Sequence, residues 1–138
     1  FKNPKVGMAI TALMGPVANL VAALAGLLVF HTVWCIVPSF FTAGGFGDYV
    51  LVFLQFYIIV NVNLAVFNLL PIPPLDGSHL LALILPTRVY FKYVRYERYI
   101  SFAMVLLLVF DVLDTPLFFL RSYLLMGLEW IVGLIPFL

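Results

Sequence analysis

Residues 68–77, with the sequence NLLPIPPLDG, decide how the middle of this chain folds. They lie inside an apolar stretch over residues 49–85, which as one helix would be ~55 Å long, against a hydrocarbon core of about 30 Å. Three of the four residues 71–74 are proline, and proline removes a backbone donor and clashes with the preceding turn. The pattern therefore predicts a helix over residues 49–70, an extended segment, and a short helix over residues 76–85.

The composition of the chain is that of a membrane protein. It is 65% hydrophobic and 9% charged, whereas about 25% of the residues of a typical soluble domain are charged. A small soluble domain turns a large share of its residues to water, so it could not hide this much apolar surface. A net charge of +1 creates no field that would attract nucleic acid. We expect the lipid bilayer as the environment and no nucleic-acid partner.

Three further apolar stretches cover residues 6–37, 100–120 and 123–138. The first is long enough to span a bilayer with some tilt and is followed by a glycine-rich turn over residues 39–48. The stretch over residues 100–120 carries two aspartates and a proline. The stretch over residues 123–138 is short, and either crosses the membrane or lies in its interface. The predicted fold is all-α, with about three or four membrane segments, one of them broken by the proline-rich extended segment.

Basic residues predict the orientation of these segments. Lys2 and Lys5 lie near the start of the chain, and residues 86–98 read as a polar loop that mixes arginine with tyrosine. The positive-inside rule places both at the cytoplasmic face and the glycine-rich turn on the other side. We predict one multi-pass transmembrane domain over residues 1–138, with a motif-bearing part over 1–85 and C-terminal helices over 99–138.

Asp76 directly follows the proline-rich break, in an otherwise apolar neighbourhood. An ionisable residue inside a membrane segment is costly and is by default a functional-site hypothesis. The alternative is that Asp76 lies at headgroup level and caps the short helix, since Asp is a favoured N-cap. A carboxylate can also bind a metal, and His79 one turn later could face the same side, although a polar residue near a helix start is the simpler interpretation of His79.

A catalytic zinc site needs three protein ligands and an open position for water. Besides His79 the chain has one further histidine, His31, which we interpret as an interface or helix-packing residue. The single cysteine, Cys35, is interpreted as a small hydrophobic residue. No HExxH motif occurs in the sequence. Residues 1–138 are therefore not expected to build a zinc-protease site by themselves.

Two ordered motifs resemble those of the site-2 protease family of intramembrane zinc metalloproteases. Residues 68–77 resemble its Asn-x-x-Pro…Leu-Asp-Gly motif, and residues 63–67 before them are also similar to the family. Residues 15–19, GPVAN, match its Gly-Pro-x-x-Asn signature. Residues 1–5 are similar to the stretch before that signature in compact bacterial and archaeal members, which implies a prokaryotic cytoplasmic membrane. The resemblance covers roughly residues 1–85.

The resemblance implies roles for individual residues. Asp76 matches the third zinc ligand of the family, which implies Zn²⁺ as the cofactor. Asn68 matches the asparagine expected to contact the substrate or the oxyanion, and Asn19 matches a polar residue near the site. Among the remaining motif residues, Pro71 and Pro73 would hold the extended segment, and Gly77 would permit a close approach at the start of the short helix.

In that family the HExxH helix lies upstream of the Gly-Pro-x-x-Asn span, and nothing in this sequence matches it. We therefore expect the chain to be the C-terminal part of a longer protein whose missing N-terminal part carries HExxH. The intact protein would be a zinc metalloendopeptidase that cleaves transmembrane proteins or peptides in regulated intramembrane proteolysis. The segment alone is expected to be inactive.

Two other classes of function remain open at this point. A non-catalytic pseudoprotease or membrane scaffold would share every motif of the chain. A transporter-like module would also contain a broken helix with a carboxylate at membrane depth. Such folds usually pair two broken helices in two repeats, whereas this sequence has one break and no repeat, which counts against a transporter.

Overall fold

The structure, a computed structural model, describes residues 3–72 and 75–136, which form six α-helices with no strand among them. The helices are α1 (Pro4–Ile36), α2 (Phe46–Leu69), α3 (Gly77–Ile84), α4 (Thr87–Arg95), α5 (Glu97–Val109) and α6 (Asp114–Gly133). A short 3-10 helix, Pro38–Phe41, follows α1. Within the described residues, α1, α2 and α6 are long and apolar enough to cross a membrane. These findings confirm the all-α, multi-pass fold.

Helices α1 and α2 form an antiparallel hairpin. The start of α1 is capped, because the side chain of Asn3 accepts a hydrogen bond from the backbone N–H of Lys5 at 3.1 Å. The turn before α2 uses Gly44 and Gly45 with φ of 81° and 85°, values that glycine adopts without steric cost. At Gly47 a Cβ atom would come 1.6 Å from the carbonyl oxygen of Phe40, so this connection has room only for glycine.

Helix α6 completes a core with the hairpin. The core residues come from all three long helices and are Ala23, Leu27, Ile58, Val62, Val66, Leu128 and Val132. Gly26 brings α1 close to α2, since a Cβ there would lie 2.9 Å from side-chain atoms of Tyr57 and Ile58. Large apolar side chains elsewhere on these helices are exposed, such as Phe56 at 65% and Trp130 at 67%. A bilayer would cover such a surface.

The predicted break in the second apolar stretch is confirmed. Helix α2 ends at Leu69, Leu70 is extended with φ −60° and ψ 131°, and α3 begins at Gly77. Only the helix ends differ slightly from the prediction, because α2 begins in the glycine-rich turn. Pro73, which together with Pro71 was expected to hold the extended segment, lies outside the described residues, as does Pro74.

The helices of the second half do not follow the bounds of the apolar stretches over residues 100–120 and 123–138. Helix α5 has 13 residues and ends at Val109, and α6 continues from Asp114 through to Gly133. Asp111 makes the turn between them with φ 57°, a conformation that Asp tolerates better than most residues. Pro116 lies in the first turn of α6, where its missing N–H has no helical partner to lose. Two aspartates and a proline thus mark a helix start.

The polar loop predicted over residues 86–98 was wrong, because most of it forms α4. Its basic residues Arg88, Lys92 and Arg95 are spaced i, i+4, i+7, which is the spacing of one helix face. Lys92 and Arg95 lie in the last turn of α4, where positive charge interacts favourably with the helix dipole. Grouping these residues by composition alone missed that spacing.

Candidate functional site

The carboxylate of Asp76 packs against the first long helix. A Cβ atom on Gly15 would lie 2.9 Å from Oδ2 of Asp76. Gly15 opens the sequence GPVAN in α1, and Asp76 lies in the sequence LDG immediately before α3. Two motifs that are distant in the chain therefore meet at position 15, where a larger residue would displace the Asp76 side chain.

Asp76 does not act as a helix cap. It occupies the N-cap position of α3, but its backbone is helical, with φ −62° and ψ −32°, and its side chain makes no capping hydrogen bond. A capping Asp normally has an extended backbone and accepts a hydrogen bond from an N–H in the first turn. The half-buried carboxylate of Asp76 is thus directed to something other than the end of its own helix.

The start of α3 folds back onto the end of α2. A Cβ atom on Gly77 would lie 2.3 Å from the carbonyl oxygens of both Leu69 and Leu70. No side chain fits there without a backbone shift, so glycine sets the distance between the two helices. Asn68 is half-buried in the last turn of α2, adjacent to this contact.

The first turns of α3 contain two buried polar groups. Ser78 is buried, and its hydroxyl donates to the carbonyl oxygen of Leu75 at 2.8 Å. Nδ1 of His79 is buried without a hydrogen-bond partner among the described residues. Buried polar atoms are nearly always paired, so His79 Nδ1 is an exception among the buried polar atoms of the described residues.

Helix α4 is tied to the site end of the bundle by two side-chain hydrogen bonds. The hydroxyl of Tyr93 donates to the carbonyl oxygen of Pro71 at 2.6 Å, and Lys5 Nζ donates to Thr87 Oγ1. Burial raises the pKa of the Tyr93 phenol, and Tyr90 and Glu97 nearby raise it further. Sequence reasoning missed Tyr93, and no local pattern distinguishes it from the other tyrosines of this segment.

The three residues singled out from the sequence lie near one another to different degrees. Asp76 contacts Gly15 directly, and Asn68 is one residue from the Leu69 carbonyl that Gly77 approaches. Asn19 is half-buried one turn after Gly15, on the same side of α1. The structure describes no hydrogen bond that joins the side chains of Asn19, Asn68 and Asp76.

The metal-binding groups within this site are few. Among the described residues, no three His, Cys, Asp or Glu side chains come together. The chemistry of the groups nevertheless fits zinc, which takes carboxylate oxygen and imidazole nitrogen. Asp76 has a carboxylate that caps no helix, and His79, one turn away, has an imidazole nitrogen without a partner. These two groups are of the kinds that zinc binds.

The fold and this site define a class of membrane protein in which a proline-broken helix brings a carboxylate against a neighbouring span. Residues 42–110 match the model of Peptidase family M50, and the chain belongs to that family. It is 32% identical over 102 residues to a Bacillus subtilis (strain 168) protein named "Putative zinc metalloprotease YwhC". The aligned part is 72% of this chain and 44% of that protein, so the chain spans less than half of this relative's length. No solved structure gave a significant match.

Proposed function

We propose that the intact protein is an intramembrane zinc endopeptidase to which this chain contributes Asp76 as one zinc ligand. The observation that carries the proposal is the contact of the Asp76 carboxylate with Gly15. A half-buried carboxylate that caps no helix and lies in a membrane domain is by default a functional-site hypothesis, and binding a metal would account for it. Membership of Peptidase family M50 and the name of the Bacillus subtilis relative support the same activity.

The remaining ligands would come from an HExxH helix outside these 138 residues, because three protein ligands are needed. Zinc, when bound, polarises a carbonyl and lowers the pKa of a coordinated water towards about 7. Within this chain, Asp76 would hold the metal, and Gly15 would allow α1 to approach it. His79 Nδ1 is an additional nitrogen donor one turn away, either to the metal or to a group that binds it.

The polar residues around Asp76 would position the substrate. Asn68 would donate its amide to a substrate carbonyl or to the oxyanion, and Asn19 would add a polar contact one turn from Gly15. The backbone at Leu70 is extended, and backbone outside a helix at membrane depth requires surrounding protein or a wet cavity. An extended peptide laid beside this segment would find backbone partners there.

The distribution of charge supports a cytoplasmic location for this end of the bundle. Tyr93 and Lys5 tie α4 to the end where α1 begins and α2 finishes. The basic residues of α4 lie there, while Asp48 lies in the first turn of α2, at the opposite end. By the positive-inside rule this end faces the cytoplasm. A prokaryotic cytoplasmic membrane and a role in regulated intramembrane proteolysis belong to the same proposal.

The test uses the full-length protein in detergent, with zinc measured by atomic absorption and cleavage measured on a transmembrane peptide. Asp76→Asn keeps the shape of the side chain and removes its charge. It is expected to lower activity by at least about a hundredfold. Loss of a residue that only hydrogen-bonds to a metal ligand already costs up to about a hundredfold, and Asp76 would be a ligand itself. Zinc retention should fall with it.

Asp48→Asn is the matched control, because Asp48 is an exposed carboxylate at the far end of α2. It should retain both zinc and activity. Normal zinc content and cleavage in Asp76→Asn would refute the role of Asp76. A wild-type protein that binds no zinc and cleaves nothing would instead favour a non-catalytic scaffold.

A further inference from the structure

A groove of about 620 Å³ lies between α2 and α6, separate from Asp76 and Gly15. Its walls are mostly apolar, and its polar side chains are Asn63 of α2 and Asp114 and Arg121 of α6. The volume falls within the range of roughly 300–1,000 Å³ that is usual for small-molecule sites. Both helices that form the groove are long and apolar enough to span a membrane.

Arg121 is a cation with few partners. Its guanidinium donates to Oδ1 of Asn63 at 3.5 Å and lies 5.3 Å from the centroid of the Phe118 ring. No ion pair of Arg121 is found among residues 3–72 and 75–136. A guanidinium has five N–H donors, so one long hydrogen bond leaves most of them unused. A charge at this depth normally pairs with an opposite charge or faces water.

Asp114 lies seven residues before Arg121, on the same face of α6 and roughly 10 Å closer to the start of that helix. The start of α6 is near the end of α2, because Asp114 and Phe67 line the same groove. Along the groove, Asp114 is therefore followed by Arg121 and then by an apolar wall that reaches Val60. Long arginine side chains also bend towards headgroup level.

We propose that this groove binds a glycerophospholipid whose headgroup carries a primary amine, of the phosphatidylethanolamine type. Arg121 and Asn63 would bind the phosphate, Asp114 would accept hydrogen bonds from the ammonium group, and the acyl chains would lie along Val60 and Phe118. The order of charges in the groove matches that of the lipid, with the amine outermost. A choline headgroup has the same charges but no N–H to donate to Asp114.

The experiment counts lipids that remain bound to the full-length protein in native mass spectrometry. The protein is incubated with phosphatidylethanolamine, phosphatidylcholine and phosphatidylglycerol of identical acyl chains. We expect phosphatidylethanolamine to bind about tenfold more tightly than phosphatidylcholine, the size of one charge-assisted hydrogen bond. Inorganic phosphate should not displace it, because the acyl chains contribute to binding.

Variants test the contacts with the phosphate and with the ammonium group of the lipid separately. Arg121→Gln should weaken binding of all three lipids about tenfold, whereas Arg121→Lys keeps the charge and should retain most of the binding. Asp114→Asn should abolish the preference for phosphatidylethanolamine over phosphatidylcholine and leave phosphate binding intact. Glu129→Gln, on the same helix but outside this groove, should change neither.

The proposal is overturned by lipid retention that is unchanged in Arg121→Gln, or by a preference for the ethanolamine headgroup that survives Asp114→Asn. Displacement by inorganic phosphate would assign the groove to a free anion, and displacement of all lipid by a transmembrane peptide would assign it to a protein segment. Either result also overturns the proposal. Asp114 is exposed, so Asp114→Asn gives a decisive answer even if Arg121→Gln does not fold.

Discussion

The first and second halves of the chain differ in how their glycines are used. In α1–α3, a Cβ atom on Gly15, Gly26 or Gly77 would lie within 3 Å of a neighbouring atom. In α6, a Cβ on Gly127 or Gly133 would meet nothing within 4 Å among the described residues. Close packing of membrane helices depends on small residues at the contact. The first half is therefore built around fixed close contacts, whereas α6 keeps room at its glycines.

Burial shows the same contrast. Helices α1 and α2 bury residues along most of their length, whereas α5 buries Met104 and α6 buries Leu128 and Val132. No residue of α4, all of which is described, is buried. The proposed zinc ligand lies in the half with fixed contacts, as a ligand must be held in place. The proposed lipid groove borders α6, most of whose residues are exposed or half-buried.

The largest effect is expected at the junction of α2 and α3. Gly77→Ala forces a methyl group against two backbone carbonyl oxygens at 2.3 Å, and neither can move without a shift of the backbone at the end of α2. We expect the free energy of unfolding to fall by about 3 kcal/mol, the upper part of the overpacking range. Gly127→Ala, in open space, should be neutral or stabilising by up to about 1 kcal/mol. Equal losses of stability, measured by thermal unfolding in detergent, would remove the contrast between the halves.

A second, smaller effect on stability is expected at Gly15, with a larger effect on function. Here the added methyl group meets Oδ2 of Asp76 at 2.9 Å, the end of a side chain that can rotate away. Gly15→Ala should cost about 1 kcal/mol in stability. Zinc affinity should fall roughly ten- to a hundredfold, because the displaced carboxylate no longer holds its position.

Gly133→Ala is the matched control for Gly15→Ala, since it adds the same methyl group to a long helix in open space. Zinc content and melting temperature of the full-length protein show whether Gly15→Ala affects metal binding, helix packing or both. A Gly15→Ala protein that loses stability but keeps its zinc would mean that Gly15 serves helix packing alone.

The smallest effect is expected at the link between α4 and the break. Tyr93→Phe removes the hydrogen bond to the carbonyl oxygen of Pro71 and should cost about 1 kcal/mol. Tyr99→Phe, at an exposed position in α5, should cost nothing measurable. If both variants unfold at the same temperature as the wild type, α4 is not anchored through Tyr93.

The same hydrogen bond predicts a dependence on pH. Because burial raises the pKa of Tyr93 in the folded state, its stabilising contribution is fully present below the ordinary tyrosine pKa of about 10. It is lost as the pH rises through the raised value. The difference in melting temperature between wild type and Tyr93→Phe should therefore shrink at alkaline pH, and a constant difference would contradict this assignment.

Much of the first half could be predicted because its signals are local. The proline cluster over residues 71–74 ends a helix whatever surrounds it, and uninterrupted apolar stretches are long enough to span. In the second half, proline and the basic residues were each compatible with two different structures. Pro116 was taken to lie inside a span, whereas it belongs to the first turn of α6, and the basic residues of α4 were taken for a loop.

The sequence by itself determined that this is an all-α membrane protein with one broken helix, because apolar length and proline geometry do not depend on the rest of the fold. It also singled out Asp76, since a lone carboxylate in an apolar segment is costly anywhere in a bilayer. The contact of Asp76 with Gly15, the link of Tyr93 to Pro71 and the joint groove of Asn63 and Arg121 required the tertiary structure. Each of these depends on the distance between helices far apart in the chain, which packing sets and no local pattern encodes.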